Sequence, residues 1–186
     1  MTRESLLEAV AQEVPTALDI LGPRGRCIAA SIIGREVLRF FGEPAELRAC
    51  QLRALWDGRA IHLSAARKSD VEVWGGHMVV VVPGAMLDLD LGQLARQWGL
   101  PVPPGAVCPF DWTPTETISF EILGAFIEYR PHPAPDSWRR GDMTEGRQIA
   151  LFRPMIGRII RRVRGEAPAG PPRVRMSYAL AQEVRR

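Results

Sequence analysis

The stretch that decides the fold is residues 76–91, GHMVVVVPGAMLDLDL. After Gly76, His77–Val82 is an apolar run that begins with a histidine and has the length and composition of a buried β-strand. Pro83 and Gly84 follow in the order of a tight turn, because proline suits its second position and glycine its third. Residues 85–91 return as a second strand in which apolar and acidic residues alternate. The stretch therefore predicts an antiparallel β-hairpin.

The hairpin places two acids, Asp88 and Asp90, on the same face as His77. A two-residue turn would set His77 opposite Asp90, and a four-residue loop over residues 81–84 would set it opposite Asp88. Directly opposite residues have Cβ atoms about 5 Å apart, and diagonal ones about 7–8 Å apart. Carboxylates inside an apolar strand are costly unless they are paired or exposed. The acids therefore either hold the histidine or form the solvated face of an edge strand.

The segments before the hairpin are assigned from apolar spacing and from breaking residues. Residues 26–41 have the broadest apolar stripe in the chain, which is typical of a buried helix. The first predicted element is a helix over residues 4–14, which Pro15 either ends or separates from a short helix over 16–21. The next predictions, in chain order, are a helix over residues 26–41, a strand over 45–55, a polar loop over 57–69 and alternating strand-like residues over 71–74.

The segments after the hairpin complete an α+β fold in which helices pack on an antiparallel sheet. The predictions are a short helix over residues 93–98, an irregular proline-rich connection over 99–115, one long strand or two over 118–129, a loop over 131–142, and a basic helix over 148–163 with Pro154 in its first turn or at a kink. We expect residues 1–164 to form a single domain and residues 165–186 to form a basic linker and tail.

Cys27 lies at the first turn of the strongest predicted helix. Backbone N–H groups there have no partner within the helix, and the helix dipole favours an anion. A thiolate at that place is stabilised, and the thiolate is the nucleophilic form of cysteine. Arg24 and Arg26 add positive potential. The alternative is a small buried residue that begins a core helix.

The order of a cysteine helix, a histidine strand and an aspartate strand is more informative than any one residue. A thiol nucleophile needs a base beside it and a carboxylate that orients the imidazole. His77 fits the base because it stands at the mouth of an apolar strand, although a hydrogen-bonded structural histidine would look the same. His62 and His132 lie in polar or proline-rich segments and are predicted to be surface residues.

These residues resemble a known family. The stretch RCIAAS of residues 26–31, the Trp-x-Gly-His of 74–77 and the Asp-x-Asp-x-x-Gln of 88–93 are similar to the core of the transglutaminase-like branch of the papain-like cysteine superfamily. The cysteine helix resembles that of small bacterial members, including the leader peptidases of lasso-peptide maturation, and the other two motifs are similar to bacterial and phage proteins of this kind. The resemblance covers about residues 22–98. The papain-like strand usually continues His-Ala-Trp, whereas this chain has His77-Met78-Val79.

The resemblance implies a transglutaminase-like core with Cys27 as nucleophile, His77 as base and Asp88 as the orienting acid. Asp90 is the competitor for the acid role. The implied activity is thiol-dependent acyl transfer or hydrolysis, of the peptidase, amidase or transglutaminase type, acting on a peptide or protein. The oxyanion donor would be the backbone N–H of Cys27.

Composition excludes several other classes of protein. No apolar run approaches the 18 or so residues that span a bilayer, and the acidic N-terminus does not fit a signal peptide, so a cytoplasmic protein without membrane contact is expected. The three cysteines have no close spacing, which argues against a disulfide framework and against a zinc site. No phosphate-binding loop is present, and the sequence predicts no cofactor and no metal.

The charge is unevenly distributed along the chain. The net charge of +3 divides into −5 over residues 1–146 and +8 over residues 147–186. Four arginines of the predicted basic helix lie opposite its apolar face: Arg158, Arg161, Arg162 and Arg164. They are either the solvated face of a packed helix or a contact for nucleic acid or an acidic protein. The rival function is therefore a non-catalytic member of the same fold that binds a partner through this region.

Overall fold

Four helices and a seven-stranded antiparallel sheet form the described part of the protein. The computed structural model describes residues 1–18, 26–63, 76–113, 116–132 and 145–166. The helices are α1 (Arg3–Ala17), α2 (Arg26–Phe40), α3 (Gly92–Trp98) and α4 (Glu145–Val163). The strands are β1 (Glu46–Trp56), β2 (Arg59–Leu63), β3 (His77–Val82), β4 (Ala85–Asp88), β5 (Ala106–Cys108), β6 (Ile118–Ile122) and β7 (Ala125–Pro131). The α+β class is confirmed.

The long strand β1 organises the sheet. The strand order is β5-β4-β3-β1-β7-β6, and β2 also pairs with β1. One edge of β1 pairs first with β3 and then with β2, while β7 pairs along the other edge. His77 is the first residue of β3 and pairs with Cys50. His77 therefore lies opposite the middle of β1, at the point where the pairing of β1 with β3 ends and its pairing with β2 begins.

Three of the helices cover one face of the sheet. The buried cluster on that face joins α1, α2 and α4 to residues of β3 and β4 such as Met78, Val80 and Leu87. A second cluster on the opposite face contains Val79, Met86 and residues of β1, β7 and α3. Alternate residues of β3 thus enter two different cores, which is why its apolar run is continuous rather than alternating.

Helix α2 is held close against the hairpin. The Ser31 hydroxyl donates to the carbonyl oxygen of Met78 at 2.9 Å. Gly34 faces Leu89, whose side chain occupies the space that a Cβ on the glycine would need. Since Leu89 lies between the two acids of the hairpin, the absence of a side chain at Gly34 sets the distance between α2 and the acidic segment.

The prediction of a polar loop over residues 57–69 was wrong for residues 59–63, and residues 64–69 lie outside the described residues. Residues 59–63 form β2, which pairs with β1 through a two-residue turn at Asp57 and Gly58. Both turn residues have positive φ, 48° and 70°, as the favoured hairpin turn requires. Asp-Gly between two strands is a strong hairpin signal, and it was present in the sequence.

The prediction that Pro15 ends the first helix was also wrong, because α1 continues to Ala17. A proline in the last turn forfeits one helical hydrogen bond, and Pro15 is itself buried. Pro154 lies inside α4 rather than in its first turn, which leaves the other predicted alternative, a kink.

Other boundaries differ by small amounts. Strand β4 ends at Asp88 rather than at residue 91, and β5 forms within the connection predicted to be irregular. Residues 118–131 form two strands joined at Leu123 and Gly124, both with positive φ. The predicted elements over residues 16–21, 71–74 and 131–142 lie wholly or mostly outside the described residues, as does nearly all of the predicted tail.

None of the described helices is long and apolar enough to cross a membrane.

We expect Gly34→Ala to lower the free energy of unfolding by about 1–3 kcal/mol, because the added methyl must displace Leu89. The matched control is Gly157→Ala in α4, where the nearest atom to the new methyl is 3.8 Å away. That substitution removes a helical glycine without crowding and should raise stability by about 0.5–1 kcal/mol. Urea denaturation of both variants measures the difference, and equal effects would contradict the close packing of α2.

Candidate active site

His77 contacts Asp88, although the length of the hairpin turn by itself points to Asp90. Val82 pairs with Ala85, so the turn is the two-residue one, for which the sequence predicted His77 opposite Asp90. Instead, Nε2 of His77 lies 2.9 Å from Oδ2 of Asp88. The strand register is the one expected for that turn, but β4 ends at Asp88, so the ladder never reaches Asp90 and the imidazole contacts Asp88 across the diagonal.

Asp88 is fully buried and its carboxylate accepts three hydrogen bonds. Oδ2 accepts from His77 and from the Tyr129 hydroxyl at 2.8 Å. Oδ1 accepts from the backbone N–H of Asp90 at 3.0 Å. A solvated acidic edge is therefore the wrong interpretation for this pair, since Asp88 and Asp90 are both buried. The three donors hold the Asp88 carboxylate in one orientation.

His77 is a buried histidine that favours its charged form. Burial by itself lowers the pKa of the imidazole, but the charge of Asp88, the hydrogen bond to Asp88 and the neighbouring Cys27 outweigh it. The pKa of His77 is therefore raised well above its usual range. Among the described residues, its Nδ1 has no hydrogen-bond partner of regular geometry.

Cys27 is the second residue of α2 and lies beside the imidazole. Its side chain is close enough to act on His77 through hydrogen bonding and charge. Since Asp88 occupies Nε2, the nitrogen left for the thiol is Nδ1. Ser31, one helical turn later, ties the same helix to β3. The helix and the strand thus bring Cys27 and His77 together from positions 50 residues apart.

The other two cysteines lie in environments that disfavour a thiolate. Burial, and then the charge of Asp88, raise the pKa of Cys108 to about 12. Burial, followed by the charges of Asp88 and Cys27, also raises the pKa of Cys50 well above its usual range. The Cys50 thiol donates to the carbonyl oxygen of His77 at 3.4 Å, so this cysteine supports the strand. Of the three thiols, Cys27 has the largest exposed fraction, 8%.

Asp90 contacts arginines rather than the imidazole. Its Oδ1 lies 2.5 Å from Nη2 of Arg96 and 3.5 Å from Nε of Arg26. Burial raises the pKa of Asp90, while the hydrogen bond and charge of Arg96 and the charges of His77 and Arg26 act in the opposite direction. Asp90 therefore belongs to a second charged group beside the first.

Sequence reasoning missed Tyr129 and Arg96 and misplaced one histidine. Tyr129 is far from the hairpin in sequence, and only the pairing of β7 with β1 brings it to Asp88. His62 is exposed as predicted, but His132 is buried. The backbone N–H of His132 donates to Ala49 just beyond β7, so the chain stays against the sheet there.

The arrangement brings a thiol near an imidazole that is hydrogen-bonded to a carboxylate, the set of groups that nucleophilic acyl chemistry requires. The described residues contain no group of three or more His, Cys, Asp or Glu side chains that could hold a metal ion.

The raised pKa of His77 makes a prediction about stability. Because its folded-state pKa lies above the unfolded value of about 6.5, this group adds stability that is fully present below pH 6.5 and is lost as the pH rises through the folded-state pKa. We expect the stability gap between the native chain and His77→Gln to shrink with rising pH above 6.5, by up to about 1.4 kcal/mol per pH unit. Urea denaturation at a series of pH values measures it.

The control is His62→Gln, which removes an exposed histidine and should leave a small gap that does not change with pH. A gap for His77→Gln that is constant or widens with pH would contradict the imidazole–carboxylate pair.

Comparison with known proteins supports the fold class alone. No family model matches the chain, and no curated protein matches it. Among solved structures, the crystal structure of genomics target APC5867 is similar to it, with 16% sequence identity and a TM-score of 0.52. The similarity covers 92% of this chain and 84% of that chain. At this level of identity, what the two proteins share is a general α+β fold.

Proposed function

We propose that the protein is a cysteine hydrolase or acyltransferase that works through Cys27, His77 and Asp88. The observation that carries the proposal is the chain of contacts in which Asp88 binds one imidazole nitrogen and Cys27 stands beside the ring. This is the order in which a carboxylate orients a base and the base serves a nucleophile.

The reaction begins with attack of the Cys27 thiolate on the carbonyl carbon of an amide or ester. A carbon–sulfur bond forms, and the carbonyl electron pair moves to oxygen. Backbone N–H groups at the start of α2, including that of Cys27, are suited to stabilise this oxyanion. When the intermediate collapses, the bond to the leaving group breaks and the His77 imidazolium gives the departing nitrogen or oxygen its proton.

The second half-reaction releases the acyl group. Neutral His77 takes a proton from water or from an amine, which attacks the thioester carbon and expels the Cys27 thiolate. Water makes the protein a peptidase or amidase, and an amine makes it a transglutaminase-type enzyme. The walls of the site select between them.

Asp88 supports the charged imidazole in both steps. A buried carboxylate with three donors keeps its orientation, so the ring stays turned towards Cys27. The raised pKa of His77 favours imidazolium near neutral pH, and an imidazolium next to a thiol favours the thiolate. Asp88 thus favours both the reactive sulfur and the acid for the leaving group.

The resemblance to the transglutaminase-like branch agrees with this assignment. A cysteine near the start of a helix, followed by a histidine strand and an aspartate strand of an antiparallel sheet, is the order expected for that core. On this basis the substrate class is a peptide or protein, and the proposed location is the cytoplasm.

Thiol reactivity tests the proposal directly. At pH 6.5 we expect iodoacetamide to alkylate Cys27 at least about tenfold faster than Cys50 or Cys108, because only Cys27 has an imidazolium to hold its thiolate. Peptide mass spectrometry after timed quenching gives the three rates in one experiment. Asp88→Asn should slow Cys27 several-fold at this pH while leaving the other two rates unchanged.

The control Asp111→Asn removes an exposed carboxylate that, in the described part of the chain, accepts from the Gly84 N–H, and it should leave all three rates unchanged. If Cys27 reacts no faster than the other cysteines in the folded native chain, the proposal is wrong.

A second candidate function follows from the surface of α4. The helix packs through Phe152, Ile156 and Ile159 on the body, and Arg162 pairs with Glu13 of α1 at 3.0 Å. Arg161 and Arg164 are exposed and Arg158 is half-buried. The exposed arginines favour a contact with phosphate groups of a nucleic acid, independent of the thiol chemistry.

For this candidate we expect a fluorescent DNA duplex to bind with an affinity that falls steeply with salt. The double substitution Arg161→Ala and Arg164→Ala should make the slope of log K against log salt shallower by about two. Arg59→Ala, an exposed arginine on β2, should leave the slope unchanged. Absent or salt-insensitive binding would rule out the phosphate contact.

A further inference from the structure

We propose that Asp90 is a positioning residue that fixes Cys27 relative to the His77–Asp88 pair. This inference rests on the proposed function and assigns a role to the acid that does not bind the imidazole. Asp90 contacts Arg26, which immediately precedes Cys27, and its own backbone N–H holds Asp88. One residue therefore joins the segment that carries the nucleophile to the carboxylate that orients the base.

Asp90 contacts α3 and the start of α2 directly, and Arg26 extends these contacts to α1. Its Oδ1 accepts from Arg96 of α3 at 2.5 Å and faces Nε of Arg26 at the start of α2 at 3.5 Å. Arg26 also donates to the carbonyl oxygen of Pro15 in α1 at 3.4 Å. The start of α2 is thus fixed from both sides, by α1 and by the segment after β4.

Burial argues that this group serves geometry more than stability. Asp90 is 1% exposed and the Arg26 side chain 4% exposed. Removing two charges from water is costly, and an apolar set of similar volume is often as stable or more stable. A buried ion pair at the residue before the nucleophile is therefore better explained by the position it enforces than by the free energy it contributes.

Positioning and simple charge effects predict opposite results for Asp90→Asn. Removing a negative charge near Cys27 favours a thiolate, so a purely electrostatic role would move the pH midpoint of Cys27 alkylation downwards. A positioning role predicts the reverse, because a thiol that moves away from the imidazolium loses the charge that stabilises its thiolate, so alkylation then needs a higher pH.

The experiment measures Cys27 alkylation by iodoacetamide from pH 5 to 10 in the full chain. We expect Asp90→Asn to move the midpoint upwards by about one unit and to slow alkylation at pH 6.5 about tenfold. Arg26→Lys keeps the charge but loses the guanidinium fork, so it should shift the midpoint in the same direction. Arg96→Lys changes a half-exposed side chain and should perturb the fold least. If Asp90→Asn does not fold, an upward shift of the Cys27 midpoint in Arg96→Lys tests the same proposal.

The matched control is Glu13→Gln, which breaks a half-buried ion pair that includes neither Asp90 nor Arg26 and should leave the midpoint unchanged. A downward shift in Asp90→Asn, or an unchanged midpoint in Asp90→Asn and Arg26→Lys, overturns the positioning role while the native chain still shows a reactive Cys27. A native chain without a reactive Cys27 overturns the proposed function itself, so the two failures are distinguishable.

Discussion

The hydrogen bond between His77 and the buried Asp88 is the constraint around which the rest of the structure is arranged. A carboxylate with no exposure to water must have its lone pairs satisfied by the protein. Three donors from β3, β7 and the segment after β4 meet that need. The sheet must therefore hold these elements in one register, and a slip of one residue in β3 would turn the imidazole to the opposite face.

The sequence was sufficient for the hairpin, the cysteine helix and the α+β class, because these depend on local spacing and on turn residues. It was also sufficient to bring Cys27, His77 and Asp88 forward as candidates, although their roles remain predictions. It was insufficient where distant segments meet. Local pattern carries no information about Tyr129 reaching Asp88, because that contact depends on the pairing of β7 with β1.

The choice between Asp88 and Asp90 shows a different limit. Strand alternation put both acids on the face of His77, and the correct turn length then pointed to the wrong acid. What decides is where β4 stops, since the ladder ends at Asp88 and the chain bends into α3. Strand ends depend on what the next segment packs against, and here Arg26 and Arg96 draw Asp90 away from the imidazole.

The Tyr129 hydroxyl brings into the site a part of the chain that is distant in sequence from Cys27. The smallest continuous segment that contains Cys27 and every donor to Asp88 runs from residue 27 to residue 129. The segment that resembles the transglutaminase-like core ends about 30 residues earlier, so it carries the reacting groups without the last donor. Contacts so far apart in sequence form late, because loop closure comes before the contact energy. The Asp88 carboxylate therefore has its complete set of donors only when β7 is paired with β1, although the three reacting groups all lie earlier in the chain.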